Sequence, residues 1–257
     1  MTSPGKIYFA SDLHLGTPNT ALSAEREKRF VQWLDSIKHD AEEIFLVGDL
    51  FDFWHEYSTV VPKGFVRLQG KIAELSDAGI PVHVFTGNHD LWMYGYFEEE
   101  LGVKVYHQPI SREWNGKKFF IGHGDGLGPD DHGYKFIKKV FANPVCQFLF
   151  KWLHPDIGVG IANYFSRRSR YGNTTEHEKE VFKGEDKEWL VQYSKRVLER
   201  QPVDYFVFGH RHLPLDISLG DKSRYINLGD WLDYSSYAVF DGTDLKLCYY
   251  QPNEQAV

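Results

Sequence analysis

The 257-residue chain is short of cysteine, methionine, long apolar runs and positive charge. Its two cysteines, Cys146 and Cys248, make no C-x-x-C pair. Two thiols exclude a disulfide framework and a thiolate metal site, and they suit a reducing compartment. No stretch approaches the roughly 20 apolar residues that a membrane-spanning helix needs. The early apolar run, Ile7 to Ala10, is too short for the core of a signal peptide. The expected location is cytoplasmic. Acids outnumber bases 36 to 29, for a net charge of −7. Phosphate backbones need clustered Lys and Arg, so no nucleic-acid partner is expected. With 42% apolar and 25% charged residues, disorder is excluded as a description of the whole chain.

What the chain does have is 12 histidines. Imidazole is the commonest metal ligand and a proton carrier near neutral pH, so their placement matters. Short β-branched and aromatic runs predict strands at Lys6–Ala10, Glu43–Val47, Val82–Thr86, Lys117–Ile121, Tyr205–Phe208, Tyr225–Leu228, Tyr237–Phe240 and Lys246–Tyr250. Between the early strands, Phe30, Leu34 and Ile37, then Phe65, Leu68, Ile72 and Leu75, repeat with helical spacing. Alternating strands and helices predict an α/β layered domain. Turn signals between the last three strands, including Asp241-Gly242, predict that part of the sheet system is antiparallel. From Asp130 to Arg200 the chain reads as helices, broken at Asn143-Pro144 and at His154-Pro155, the last marked by Trp189, Tyr193 and Val197. The expected division is a core of residues 1–128 and 203–257, interrupted by a helical insertion over 129–202.

Five short motifs stand where predicted strands end. They are Asp12-Leu13-His14, Gly48-Asp49-Leu50-Phe51-Asp52, Gly87-Asn88-His89-Asp90, Gly122-His123 and Gly209-His210-Arg211-His212. Ligands of α/β folds bind beyond the carboxyl ends of strands. Carboxylate, amide and imidazole donors together suit Mn²⁺, Fe²⁺ or Zn²⁺ better than Ca²⁺. The donors are too many for one ion and about right for two, if one carboxylate bridges. Two divalent ions less the charges of two Asp leave about +2, which attracts an anion such as a phosphate ester or anhydride.

The five motifs in this order resemble the signature of the calcineurin-like metallophosphoesterases. The resemblance implies a sandwich of two mixed β-sheets flanked by helices (αββα), with the insertion as a lid. It implies two divalent metal ions, foremost Mn²⁺, with Fe²⁺ or Zn²⁺ as alternatives. Asp12, His14 and His212 would hold the first ion and Asn88, His123 and His210 the second, with Asp49 bridging. His89 would be catalytic rather than a ligand, oriented by Asp52, which would raise its pKa. Asp90 is expected to satisfy loop amides. His39, His55, His83, His107, His132, His154 and His177 are expected to be ordinary hydrogen-bonded core residues.

The insertion bears on the substrate. From 135 to 170 there are seven bases against the single acid Asp156, a net of +6 that leaves the remainder at −13. Large apolar residues accompany them, among them Phe136, Phe141, Phe148, Phe150 and Trp152. A basic, aromatic, amphipathic segment is what a lipid cap or a peripheral membrane surface needs. The order of core, helical insertion and return strand resembles the UDP-2,3-diacylglucosamine diphosphatases of the lipid A pathway. That resemblance implies hydrolysis of a UDP-linked glycolipid to 2,3-diacylglucosamine 1-phosphate and UMP at the cytoplasmic face of the inner membrane. No obligate protein partner is implied. Asn88, His89, Asp131, Ser169, Asn173 and His210 would contact the head group, and either Lys179 or Lys183 could supply a further contact. The chain departs from well-known members of that subfamily at His89, where they carry Arg, and at Arg211, where they usually carry Thr. A phosphatase or phosphodiesterase acting on a soluble ester is the alternative, and a metal-binding scaffold without turnover is a third reading.

Overall fold

The computed structural model describes residues 5–128, 143–172 and 181–251, with backbone only for 163 and 165–172. The apolar runs at the start of the chain become β1 (Lys6–Ala10), β2 (Ala41–Val47) and β3 (Val82–Phe85). Their neighbours in space are β4 (Lys104–Tyr106), β10 (Ser236–Phe240) and β11 (Leu245–Tyr249). Together they form one sheet in the order β11-β10-β1-β2-β3-β4. β1 to β4 run parallel, β10 is antiparallel to β1, and β11 is antiparallel to β10.

The second sheet has the order β5-β6-β7-β9-β8. Its strands are β5 (Ile110–Trp114), β6 (Lys117–Gly122), β7 (Tyr205–Phe208), β8 (Pro214–Leu219) and β9 (Ser223–Leu228). The β6-β7-β9 centre is parallel and both edge pairs are antiparallel. Both sheets are therefore mixed, as the family resemblance implies.

Strand alternation sends one set of side chains inward and the other outward. Ile7, Phe9, Phe45, Val47 and Phe85 of the first sheet meet Phe119, Ile121, Val207, Ile226 and Leu228 of the second. Phe119 lies 5.0 Å from Phe240 and 6.1 Å from Phe9, ring to ring. Each fully buried side chain of this size contributes about 1.5–3 kcal/mol. The outward set of the first sheet, Tyr8, Ala10, Ile44, Leu46 and Val84, packs on helices α1 (Thr20–Ile37), α2 (Val66–Asp77) and α3 (Tyr96–Leu101). Asn19 caps α1 by accepting from Leu22 N–H at 3.0 Å, a contact worth about 1 kcal/mol. The outward set of the second sheet, Phe206, Phe208 and Tyr225, is covered by Leu190 and Val191.

Between β6 and β7 the described residues hold helices and no strand. They are α4 (Pro144–Lys151), α5 (Pro155–Gly172) and α6 (Trp189–Leu198), with a 3-10 turn at Glu185–Lys187. Asn143 caps α4 with Pro144 in its first turn, and Pro155 opens α5, so both prolines act as helix starts. The helix expected before Asn143 lies outside the described residues. Three strands were not expected: β4, β5 and β8. All three are sheet edges and partly exposed, so they carry no continuous apolar run. β9 also differs from expectation. It lies in the second sheet between β7 and β8, while its two successors in the chain join the first.

Among the described residues, no helix is long and apolar enough to cross a membrane. α4 and α5 nevertheless leave a broad apolar surface in solvent: Val145, Phe148, Leu149, Trp152 and Ile157 are all more than half exposed, Trp152 to 77%.

Candidate metal centre

The five motifs meet at one end of the sandwich, where β1, β2, β3, β6 and β7 finish. Backbone hydrogen bonds lock the loops together: Asp12 N–H to Gly48 C=O at 3.0 Å, His14 N–H to Asp49 C=O at 2.9 Å, and Gly209 N–H to His123 C=O at 3.0 Å. Asp12, His14, Asp49, His210 and His212 all have left-handed backbone, with φ of 55°, 46°, 52°, 70° and 50°. Each such non-glycine residue costs about 1 kcal/mol or more, and this concentration of strain marks a site whose geometry is over-determined. Two glycines make room. A Cβ at Gly87 would fall on the Asp49 carboxylate, and one at Gly209 would lie 2.5 Å from Asp12 Oδ2.

Among the described residues, three groups of donors have ligand atoms within 4.8 Å of one another: Asp12, His14 and His212; His14, Asp49 and His89; and Asp49, His123 and His210. In the first, Nε2 of His14 and Nε2 of His212 are 3.0 Å apart, and Asp12 Oδ1 is 3.4 Å from His212 Nε2. Asp12 Oδ1 is buried with no hydrogen-bond partner. A buried, orphaned carboxylate oxygen between two imidazole nitrogens is costly unless a cation occupies the space. In the last group, Asp49 Oδ2 lies 3.2 Å from His123 Nε2, and Asn88 Oδ1 lies 3.3 Å from His123 Nε2 and 2.9 Å from His210 Nδ1. His14 Nε2 stands 3.7 Å from Asp49 Oδ2, so Asp49 faces both groups. The donor set fits divalent ions that accept mixed nitrogen and oxygen ligands.

Electrostatics follow from burial and crowding. Burial pushes the Asp12 carboxyl up, but His212 and His14 outweigh it and hold it at about 2. The same contest, with His123 and His89 as the main partners, holds Asp49 well below the carboxylate range. Burial lowers His123, yet the Asp49 charge more than reverses this and raises it. His210 is pushed down to about 4 by burial and by His123, so its lone pairs are available at neutral pH.

Outer partners set the tautomers. Val47 C=O can only accept, so His123 Nδ1–H donates to it at 2.9 Å and Nε2 is left for the cluster. Asp230 Oδ2 does the same for His212 Nδ1 at 3.2 Å. Asp230 was missed in the sequence. It sits in Leu228-Gly229-Asp230 at the end of β9, and this repeats the strand–Gly–Asp signal that flags Asp49.

Other expectations need correction. Asp52 meets His89 through its main chain as well as its carboxylate: His89 Nδ1 is 3.0 Å from the Asp52 carbonyl and 3.8 Å from Oδ1, which lies 3.6 Å from His14 Nδ1. Burial lowers the His89 pKa and outweighs the upward pull of Asp49 and Asp52. Asp90 satisfies loop amides as expected, accepting from Gly87 N–H and Leu50 N–H at 2.7 Å each. Burial, with the Asp49 charge, raises its carboxyl to about 7. Of the remaining histidines, His83 bonds Glu43 at 2.9 Å, whereas His55 is buried with both ring nitrogens unpartnered. His39, His107 and His154 are exposed rather than core. His132, His177, Asp131, Asn173 and Lys179 lie outside the described residues, as does the side chain of Ser169.

Residues 5–214 match the calcineurin-like phosphoesterase family model. The chain belongs to that family. Within it, the chain is 42% identical to UDP-2,3-diacylglucosamine hydrolase of Porphyromonas gingivalis over 252 residues, 94% of this chain and 96% of that protein. It is 28% identical to UDP-2,3-diacylglucosamine hydrolase of Yersinia pseudotuberculosis, over 80% of this chain and 81% of that one. Among solved structures, it matches the phosphoesterase Yfce of E. coli at 16% identity and a TM-score of 0.44, covering 91% of this chain and 87% of that one.

Proposed function

We propose that the protein is a dinuclear metal hydrolase that cleaves the pyrophosphate of UDP-2,3-diacylglucosamine, releasing 2,3-diacylglucosamine 1-phosphate and UMP. The observation that carries this reading is the pair of donor groups facing each other across Asp49. Similarity to the Porphyromonas hydrolase over nearly the whole chain supports the substrate. Asp12, His14, His212 and Asp49 would hold one ion, and Asp49, Asn88, His123 and His210 the other, with manganese as the proposed metal.

Bound divalent ions would supply positive charge for the phosphate oxygens and a more acidic water. The chain's own residues do the rest. Asp12 and Asp49 remain ionised throughout the neutral range, so they never release the site by protonation. His89 donates Nδ1–H to the Asp52 carbonyl, which leaves Nε2 to carry a proton to the departing phosphate. A bound pyrophosphate would raise the His89 pKa towards the protonated form this needs. One phosphorus–oxygen bond breaks, the water oxygen forms the new one, and the proton passes to the leaving oxygen. Asn88, His89 and His210 would also contact the head group, together with Asp131, Ser169 and Asn173.

Residues 129–202 would form the cap of a core made by 1–128 and 203–257. The exposed apolar surface of α4 and α5, in a stretch of net +6, supports seating on the anionic cytoplasmic face of a membrane. Purified protein loaded with manganese should release UMP from UDP-2,3-diacylglucosamine in mixed micelles. Intact lipid with turnover of a soluble diester would assign the site to another phosphodiesterase, and no turnover of either would favour a scaffold.

A further inference from the structure

Arg211 stands between two of the predicted ligands, His210 and His212, in a turn where both neighbours have left-handed backbone. Its guanidinium reaches Glu188 at the start of α6. Nε donates to Glu188 Oε1 at 2.8 Å and Nη2 to Glu188 Oε2 at 3.3 Å, a forked pair. Glu188 is only 3% exposed and is the capping residue at the N-terminus of α6. The two residues after it continue the contact. The Trp189 ring lies 5.8 Å from that of His210, and a Cβ on Gly124 would come within 3.1 Å of Leu190. The end of one helix thus rests on the loop that carries His123 and on the turn that carries His210 and His212. From the other side, Asn227 Nδ2 donates to Gly209 C=O at 2.6 Å.

We propose that Arg211 is a positioning residue for the metal centre. Its fork to Glu188 joins the His210–His212 turn to α6, so that metal affinity and the seating of this helix are set together. The proposal rests on reading the site as a metal centre. Arg is suited to the task because its planar fork fixes direction as well as charge, which a lysine ammonium does not. Outer partners of ligands commonly shift metal affinity about 10–100-fold.

Manganese titration of the metal-free protein by calorimetry tests it, with folding checked by circular dichroism. Arg211→Met should weaken binding about 10-fold or more. Arg211→Lys should give an intermediate loss, and Arg211→Met/Glu188→Gln should be no worse than Arg211→Met. Hydrogen exchange gives a second readout: manganese should protect the first turn of α6 in the wild type and not in Arg211→Met. A folded Arg211→Met protein with wild-type affinity overturns the proposal, even if its melting temperature falls. Should that variant fail to fold, Arg211→Lys and Glu188→Gln decide, and wild-type affinity in both overturns it. A wild-type protein that binds no manganese fails the metal reading itself, and the proposal falls with it.

Discussion

In the proposed reaction His89 and Asp49, two adjacent polar groups, have separate tasks. Asp49 lies at the meeting point of the two donor groups, while the His89 ring sits edge-on to His14 at 4.8 Å and is anchored by a carbonyl. Asp49→Asn should therefore lose bound manganese, measured by elemental analysis, along with turnover. His89→Ala should keep the metal and lose turnover by about 10²–10⁴, measured on the metal-loaded protein. His55 makes a different prediction. Its ring is buried against Tyr57, Trp92 and Phe150, and burial lowers its pKa to about 4. The unfolded chain takes up this proton below about pH 6.5 and the folded chain does not, so stability is lost as pH falls from 6.5 towards 4. His55→Phe removes that dependence. Its stability relative to wild type should rise by up to about 2 kcal/mol between pH 7.5 and pH 5, measured by urea denaturation.

At the scale of elements, the core strands and the loops after them were legible, and the sheet edges were not. Lys6–Ala10 and Tyr205–Phe208 are buried almost throughout, so their composition announces them. Lys104–Tyr106 and Pro214–Leu219 face solvent along one side, and their pairing partners decide their fate. The seating of α4 was equally hidden. Phe150 packs 4.7 Å from Trp92 and 4.9 Å from His55, ring to ring, on the two loops that follow Asp52 and Asp90. A Cβ on Gly158 of α5 would meet the Tyr57 hydroxyl at 2.5 Å, so α5 approaches the same loop closely. Phe150→Ala should loosen both helices. Hydrogen exchange over residues 144–162 should quicken while the sheets stay protected, and KM for the proposed lipid substrate should rise more than kcat falls. Equal exchange in the two proteins would show that this ring does not hold the helices.

For the whole molecule, the net charge of −7 conceals an uneven distribution, with +6 over 135–170 and −13 elsewhere. Binding to anionic vesicles should be detectable by sedimentation and should weaken as salt rises from 50 to 500 mM, because the charge attraction is screened over roughly one Debye length. Trp152→Glu should weaken it further at every salt concentration. The proposed metal centre would couple to global stability as well, since ions bound only by the folded state stabilise it. Chelation should lower the melting temperature and manganese should restore it. Five motifs in order determined, by themselves, the family, the candidate donors and the layered class of the fold, because each candidate donor follows its own strand at a short, local spacing. Only the tertiary structure decided that the chain crosses between the sheets after β9, that Asp230 aims His212, that the Asp52 carbonyl is the nearer anchor of His89, and that Arg211 reaches Glu188. Those contacts join residues distant in sequence, and their geometry exists only after two sheets and the helices between β6 and β7 have packed.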